Sequence, residues 1–163
     1  MKTSFIPPRR ALCGRRSTGQ ALVEFAIVAP VFFLLLFAII EAGRFILYYE
    51  TLNNATREGA RYAIVNGANS LTCPTGPPAP KSVACDPTGA HVVQRVKDAA
   101  FNVMGTGVTV TPGWFQSDDV TPGDNGRGMT ITVVATYTYH ALVPLVPLPP
   151  ITITAESSLV INN

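Results

Sequence analysis

The stretch GQALVEFAIVAPVFFLLLFAII, residues 19–40, decides how this chain is read. From residue 20 to residue 40 an apolar run is interrupted only by Gln20, Glu24 and Pro30. At about 1.5 Å per helical residue the run is roughly 31 Å long, the thickness of a bilayer's hydrocarbon core. Lys2, Arg9, Arg10, Arg15 and Arg16 precede it without an acid, so residues 1–19 carry +5. The remainder has seven basic and ten acidic side chains, a balance of −3 hidden beneath the overall +2. Basic residues ahead of an apolar run hold that side in the cytoplasm and send the long C-terminal part across the bilayer. A cleaved secretory signal peptide is one rival, but the run is long for such a segment and no A-x-A site follows before Arg44. A buried helix of a soluble core is the other, and the upstream basic residues oppose it. The expected organisation is a basic cytoplasmic leader at 1–19, a transmembrane helix at 20–40 and an extracytoplasmic domain at 41–163. No basic patch with interleaved aromatics follows, so nucleic acid is set aside as a partner.

Helical character continues past the apolar run. Phe45, Tyr48, Leu52, Ala55, Gly59 and Tyr62 recur at three- and four-residue spacing, while Glu50, Asn54, Arg57 and Arg61 take another face. The spacing predicts one helix from residue 20 to about residue 65, its first half in lipid and its second half in a folded head. Ala55 and Gly59 are small enough to let another element, such as a sheet, come close. Tyr48 and Tyr49 stand where an interfacial aromatic anchor would lie. Pro30 lacks a backbone donor and is expected to kink or loosen the helix.

Residues 66–89 are rich in Pro, Gly, Ser and Thr and read as loop. Within them lie Cys73 and Cys85, on the side of the membrane opposite to Cys13. An even pair in an oxidising compartment is expected to form a disulfide. Zinc is the rival ligand, although two cysteines without matching histidines make a poor site. HVVQRVKDAAFNVM, residues 91–104, has the pattern of an amphipathic helix stopped by Gly105. The period then changes to that of strands, at 108–111, 129–139 and 151–161. The expected fold class is α+β: a single N-terminal transmembrane helix continuing into a small head with one further helix and about three antiparallel strands. HALVPLVPLPP, residues 140–150, carries four prolines and is expected to be an extended connection over the core or an apolar ridge for a partner.

Catalytic signatures are missing. No P-loop, HExxH or nucleophile–base pair is visible, His91 opens a helix and His140 ends a strand, so no enzyme activity, cofactor or small-molecule substrate is expected. Asp118, Asp119 and Asp124 fit no EF-hand spacing, and turn chemistry explains them equally well. No metal site is expected. Asn54-Ala-Thr is a formal glycosylation sequon placed inside a predicted helix.

A basic leader ending at Gly19, an apolar helix from Gln20 and an acid at the fifth position after that glycine together resemble a type IV prepilin processing signal. GQALVEFAIVAPVFFLLLFAIIEAGR, with TREGARYA further on, resembles the TadE-like family, pseudopilins of the tight-adherence (Flp) pilus assembly system. PLVPLPPITITAESSLVI is similar to the Pro-rich stretch and closing strand of such proteins. The resemblance implies a pilin-like head and a bacterial inner-membrane location, with a periplasmic or extracellular C-terminal domain. It also implies a prepilin peptidase cutting between Gly19 and Gln20, so that this chain is substrate and not catalyst. Glu24 would then pair with the new amino group of a neighbouring subunit. The implied partners are the lipid bilayer, the peptidase, other pilin or pseudopilin subunits and the pilus assembly platform. Many type IV pilins begin with a phenylalanine that is N-methylated; here the residue is Gln20.

Overall fold

The computed structural model describes residues 18–142 and 149–162. The basic leader through residue 17, Cys13 included, and the central part of the Pro-rich connection, 143–148, lie outside the described residues. The elements are α1 (Thr18–Val65), α2 (Ala90–Met104), β1 (Val108–Phe115), β2 (Thr130–Tyr139) and β3 (Ile151–Val160). The strands form one antiparallel sheet in the order β1-β2-β3, giving an α+β fold. The chain divides into two units, one ending at Ala38 and the other beginning at Ile39.

In the first unit the described residues are the opening part of α1. Leu22, Phe25, Ile27, Phe32 and Leu35 are all exposed there, and the segment is long and apolar enough to cross a membrane. The helix runs through Pro30 without a break.

The second unit builds its core from the inward face of the sheet and two helical stripes. On β2, Ile131, Val133, Ala135 and Tyr139 are buried, while Thr132 and Thr136 are half-buried and Thr138 is exposed, the period of two that a half-covered strand requires. Ile153 and Ala155 of β3 continue the buried face, and Ile161 just beyond the strand closes it. Leu52, Ala55, Thr56, Ala60 and Ala63 of α1 are buried, as are Val92, Val96, Ala100 and Met104 of α2. Full burial of each Leu, Ile or Val here stabilises the unit by about 1.5–3 kcal/mol. Gly59 is the tightest point: a Cβ there would lie 2.3 Å from Val96 Cγ2 and 3.7 Å from Val133 Cγ1. The close approach at Gly59 is thus made first by α2 and only secondarily by the sheet.

Two elements differ from the sequence reading. β1 is twice the expected length and passes through Pro112 and Gly113 to Phe115. It lies at the sheet edge, pairing on one side only, where a residue without an N–H is tolerated. Tyr48 does not stand free as an interfacial anchor; its ring packs 5.3 Å from those of both Tyr137 and Tyr139, while Tyr49 remains exposed.

The loop 66–89 is pinned across the head. Asn125, wholly buried, accepts from the Ala79 N–H at 3.0 Å through Oδ1 and donates through Nδ2 to the Thr75 carbonyl at 3.2 Å. Trp114 is covered by this loop. Side chains at Gly76 or Gly89 would come within 2.3 or 2.4 Å of its indole, and both glycines have positive φ, +96° and +72°.

Candidate functional site

Helix α1 starts at Thr18, so Gly19 and Gln20 lie in its first turn. Among the described residues a Cβ at Gly19 would meet nothing within 4 Å, and its φ is outside the left-handed region. Among the described residues neither packing nor backbone geometry accounts for glycine at this position, and Gly43 has equally open surroundings. Glu24 is exposed and lies four residues beyond Gln20, on the same face of the helix. Among the described residues it has no hydrogen-bond or ion-pair partner.

The second unit carries an acid that the sequence reading overlooked. Glu41 Oε1 accepts from the Tyr139 hydroxyl at 2.5 Å and from the Leu142 N–H at 3.2 Å. Its other oxygen pairs with Arg44 at 3.3 Å, and the Arg44 guanidinium lies over the rings of Tyr48 and Tyr139. The Tyr139 hydrogen bond outweighs the opposing effect of burial and, with the Leu142 N–H and the Arg44 charge, holds the Glu41 carboxyl below its ordinary range. Burial, and then the bond to Glu41, push the Tyr139 phenol up to about 12. The cluster ties α1 to the end of β2 at the point where the Pro-rich connection leaves the sheet. Its sequence signal is an acid directly after an apolar run with an arginine three residues later.

Cys73 and Cys85 are joined by a disulfide, their Cα atoms 5.4 Å apart. Beside it stands His91, with Nδ1 3.6 Å from Cys73 Sγ and 3.4 Å from Asp86 Oδ2. The two sulfurs and a ring nitrogen of His91 all lie within 4.8 Å of one another. With both sulfurs bonded to each other neither is a thiolate, so the trio as it stands is not a metal site. Asp86 is nearly buried and caps α2 from a distance: Oδ1 accepts from the Ala90 N–H and Oδ2 from the His91 N–H and the Thr75 hydroxyl, each at 2.8 Å. Burial alone would raise its pKa; the His91 N–H, the Thr75 hydroxyl and the Ala90 N–H outweigh it and hold the carboxyl low. Asp-Pro-Thr-Gly immediately ahead of an amphipathic run was the available signal for this cap.

The remaining polar candidates are structural. Asp118 closes a turn by accepting from the N–H groups of Val120 and Thr121, and Asp124 accepts from the Gly126 N–H at 2.8 Å. Asn54 is exposed, but the threonine of its sequon, Thr56, is buried and donates to the Asn53 carbonyl. His140 is exposed at the end of β2.

Among the described residues a single N-terminal apolar helix joined to a small α+β head defines the class, a chain with one helix long and apolar enough to cross a membrane. The family model described as TadE-like protein matches residues 19–61, the segment on which the sequence resemblance is strongest. That match begins at Gly19 and ends within the buried stripe of α1. No significant match was found among curated proteins or among solved structures. The helix and the family match together fit a membrane protein associated with a Tad-type pilus.

Proposed function

We propose that this chain is a minor pilin-like subunit, processed by a prepilin peptidase between Gly19 and Gln20 and required for assembly of an adhesive or secretory Flp-type pilus. The observation that carries the reading is an exposed Glu24, without a partner among the described residues, at the fifth position after a Gly19 that no described contact explains. A glycine leaves the backbone unobstructed for extended binding in a protease cleft. That binding requires the first turn of α1 to unwind, which a helix terminus allows at little cost. Cleavage would discard the five leader charges and create an ammonium at Gln20. In hydrocarbon an isolated carboxylate is costly, and an opposite charge with hydrogen bonds offsets much of that cost. Pairing Glu24 with a neighbour's new amine would set the helices about one turn, roughly 6 Å, out of axial register. Pro30 would supply a point where the helix yields as subunits pack. The head would lie outside the cytoplasm, an oxidising setting that suits its disulfide.

The alternative is a permanent single-pass anchor that presents the head to an envelope complex, with Glu24 at the lipid interface. Two variants separate the readings. Gly19→Ala is expected to impair conversion by the peptidase, whereas Glu24→Ala is converted and fails to assemble with its partner subunits. Normal assembly of Glu24→Ala would refute the pairing role, and unprocessed yet functional Gly19→Ala would favour the permanent anchor.

A further inference from the structure

We propose that Cys73, Cys85 and His91 form a directional thiol-exchange site, in which an external thiolate attacks Cys85 and Cys73 is the sulfur released. Three observations carry it. Cys85 is exposed and Cys73 half-buried, so the incoming sulfur has the easier approach to Cys85. His91 Nδ1 faces Cys73 Sγ at 3.6 Å, so a proton on that nitrogen stands ready to hydrogen-bond the departing thiolate. The Asp86 carboxylate 3.4 Å from the same nitrogen favours the tautomer that keeps the proton there. The helix N-terminus cannot take this role, because its first N–H groups are already bound to Asp86.

The thiolate sulfur forms a bond to Cys85 Sγ, the Cys73–Cys85 bond breaks, and its electron pair leaves on Cys73 Sγ beside His91. The product is a mixed disulfide on Cys85 and one free thiolate on Cys73. A second thiolate attacking the mixed disulfide completes the reduction, and attack by Cys73 restores the ring. The surrounding loop does not depend on the covalent link for its course. Gly76 N–H bonds the Asp86 carbonyl at 2.8 Å, Cys85 N–H bonds the Pro74 carbonyl at 3.1 Å, and Asn125 holds Ala79 and Thr75. The sulfurs can therefore open and close without unfolding the head.

The test uses the full chain in detergent, with Cys13 alkylated beforehand and reduced glutathione as the probe. After acid quench and alkylation, tryptic cleavage at Lys81 places Cys73 on peptide 62–81 and Cys85 on peptide 82–95. Glutathione is expected on Cys85 with Cys73 alkylated. His91→Ala is expected to slow formation of the mixed disulfide about fivefold or more, and His91→Asn, whose amide can donate from a similar place, to retain most of the rate. His91 is exposed, so neither change endangers folding. Glutathione mainly on Cys73 or shared between the sulfurs, a rate for His91→Ala within about twofold of wild type, or no adduct on the native chain would each overturn the proposal.

Discussion

Replacing Gly59 by alanine tests the packing on which the head depends. The added Cβ would sit 2.3 Å from Val96 Cγ2, whereas carbon atoms rest at about 3.5–4.0 Å, so a displacement of more than ~1 Å is required. Valine in a helix is confined to one favoured rotamer, so Val96 cannot simply swing aside. Overpacking of this kind costs about 1–3 kcal/mol, and a stiff neighbour places it near the upper end. Alanine's helix propensity returns about 1 kcal/mol, leaving a net loss of about 2 kcal/mol. For a unit of this size, that corresponds to a melting temperature lower by roughly 6–10 °C. Thermal unfolding of the full chain in detergent can be followed through Trp114, the only tryptophan and a buried one. Gly43→Ala is the control; no described residue lies within 4 Å of its Cβ, so it should be neutral or stabilising by up to about 1 kcal/mol. Adding Val96→Ala to Gly59→Ala removes the clashing atom and should make the pair less than additive. A Gly59→Ala chain melting at or above wild type would refute the close packing of α1 on α2.

Two further predictions concern ionisation. Asp86 has a folded pKa below its ordinary value of 3.8, so its contribution is present above that value and lost as pH falls through the lowered one. Asp86→Asn should lower stability by about 1–3 kcal/mol near neutrality and flatten the acid loss below about pH 4; identical acid slopes by Trp114 fluorescence would contradict the cap. The Tyr139 phenol, raised to about 12, stabilises the head below the ordinary value of 10 and loses that contribution as pH rises toward 12. In an ultraviolet titration of the five tyrosines, Tyr139→Phe should remove the component that ionises last, and its persistence would place the Glu41 bond elsewhere.

The parts of the fold that were legible in the sequence are those written in local periodicity. The apolar run, the stripe from Leu52 to Tyr62 and the alternation through Ile131, Val133 and Ala135 are each local patterns; the run appears as helix, and the stripe and the alternation are buried on the face expected. The extension of β1 through Pro112 was hidden because proline argues against a strand until the strand is known to be at an edge. Asn125 was hidden for another reason: its partner Thr75 is fifty residues away in sequence, and no local pattern announces so distant a hydrogen bond. Glu41 and Asp86 fall between. Their positions, after an apolar run and before a helix, are suggestive, but their partners Tyr139 and Thr75 come from other segments. For the candidate processing site the sequence carries nearly everything, since Gly19 and Glu24 make no contact in the described structure that would define their roles. What the structure adds at Gly19 is that no described residue supplies a steric reason for glycine.

The most direct measurement is the amino-terminal sequence and intact mass of the chain from cells with and without the prepilin peptidase. The expected result is a mature chain beginning at Gln20 when the peptidase is present and a chain retaining residues 1–19 when it is deleted. Retention of residues 1–19 in both strains would contradict processing at Gly19 and leave the permanent anchor as the better reading.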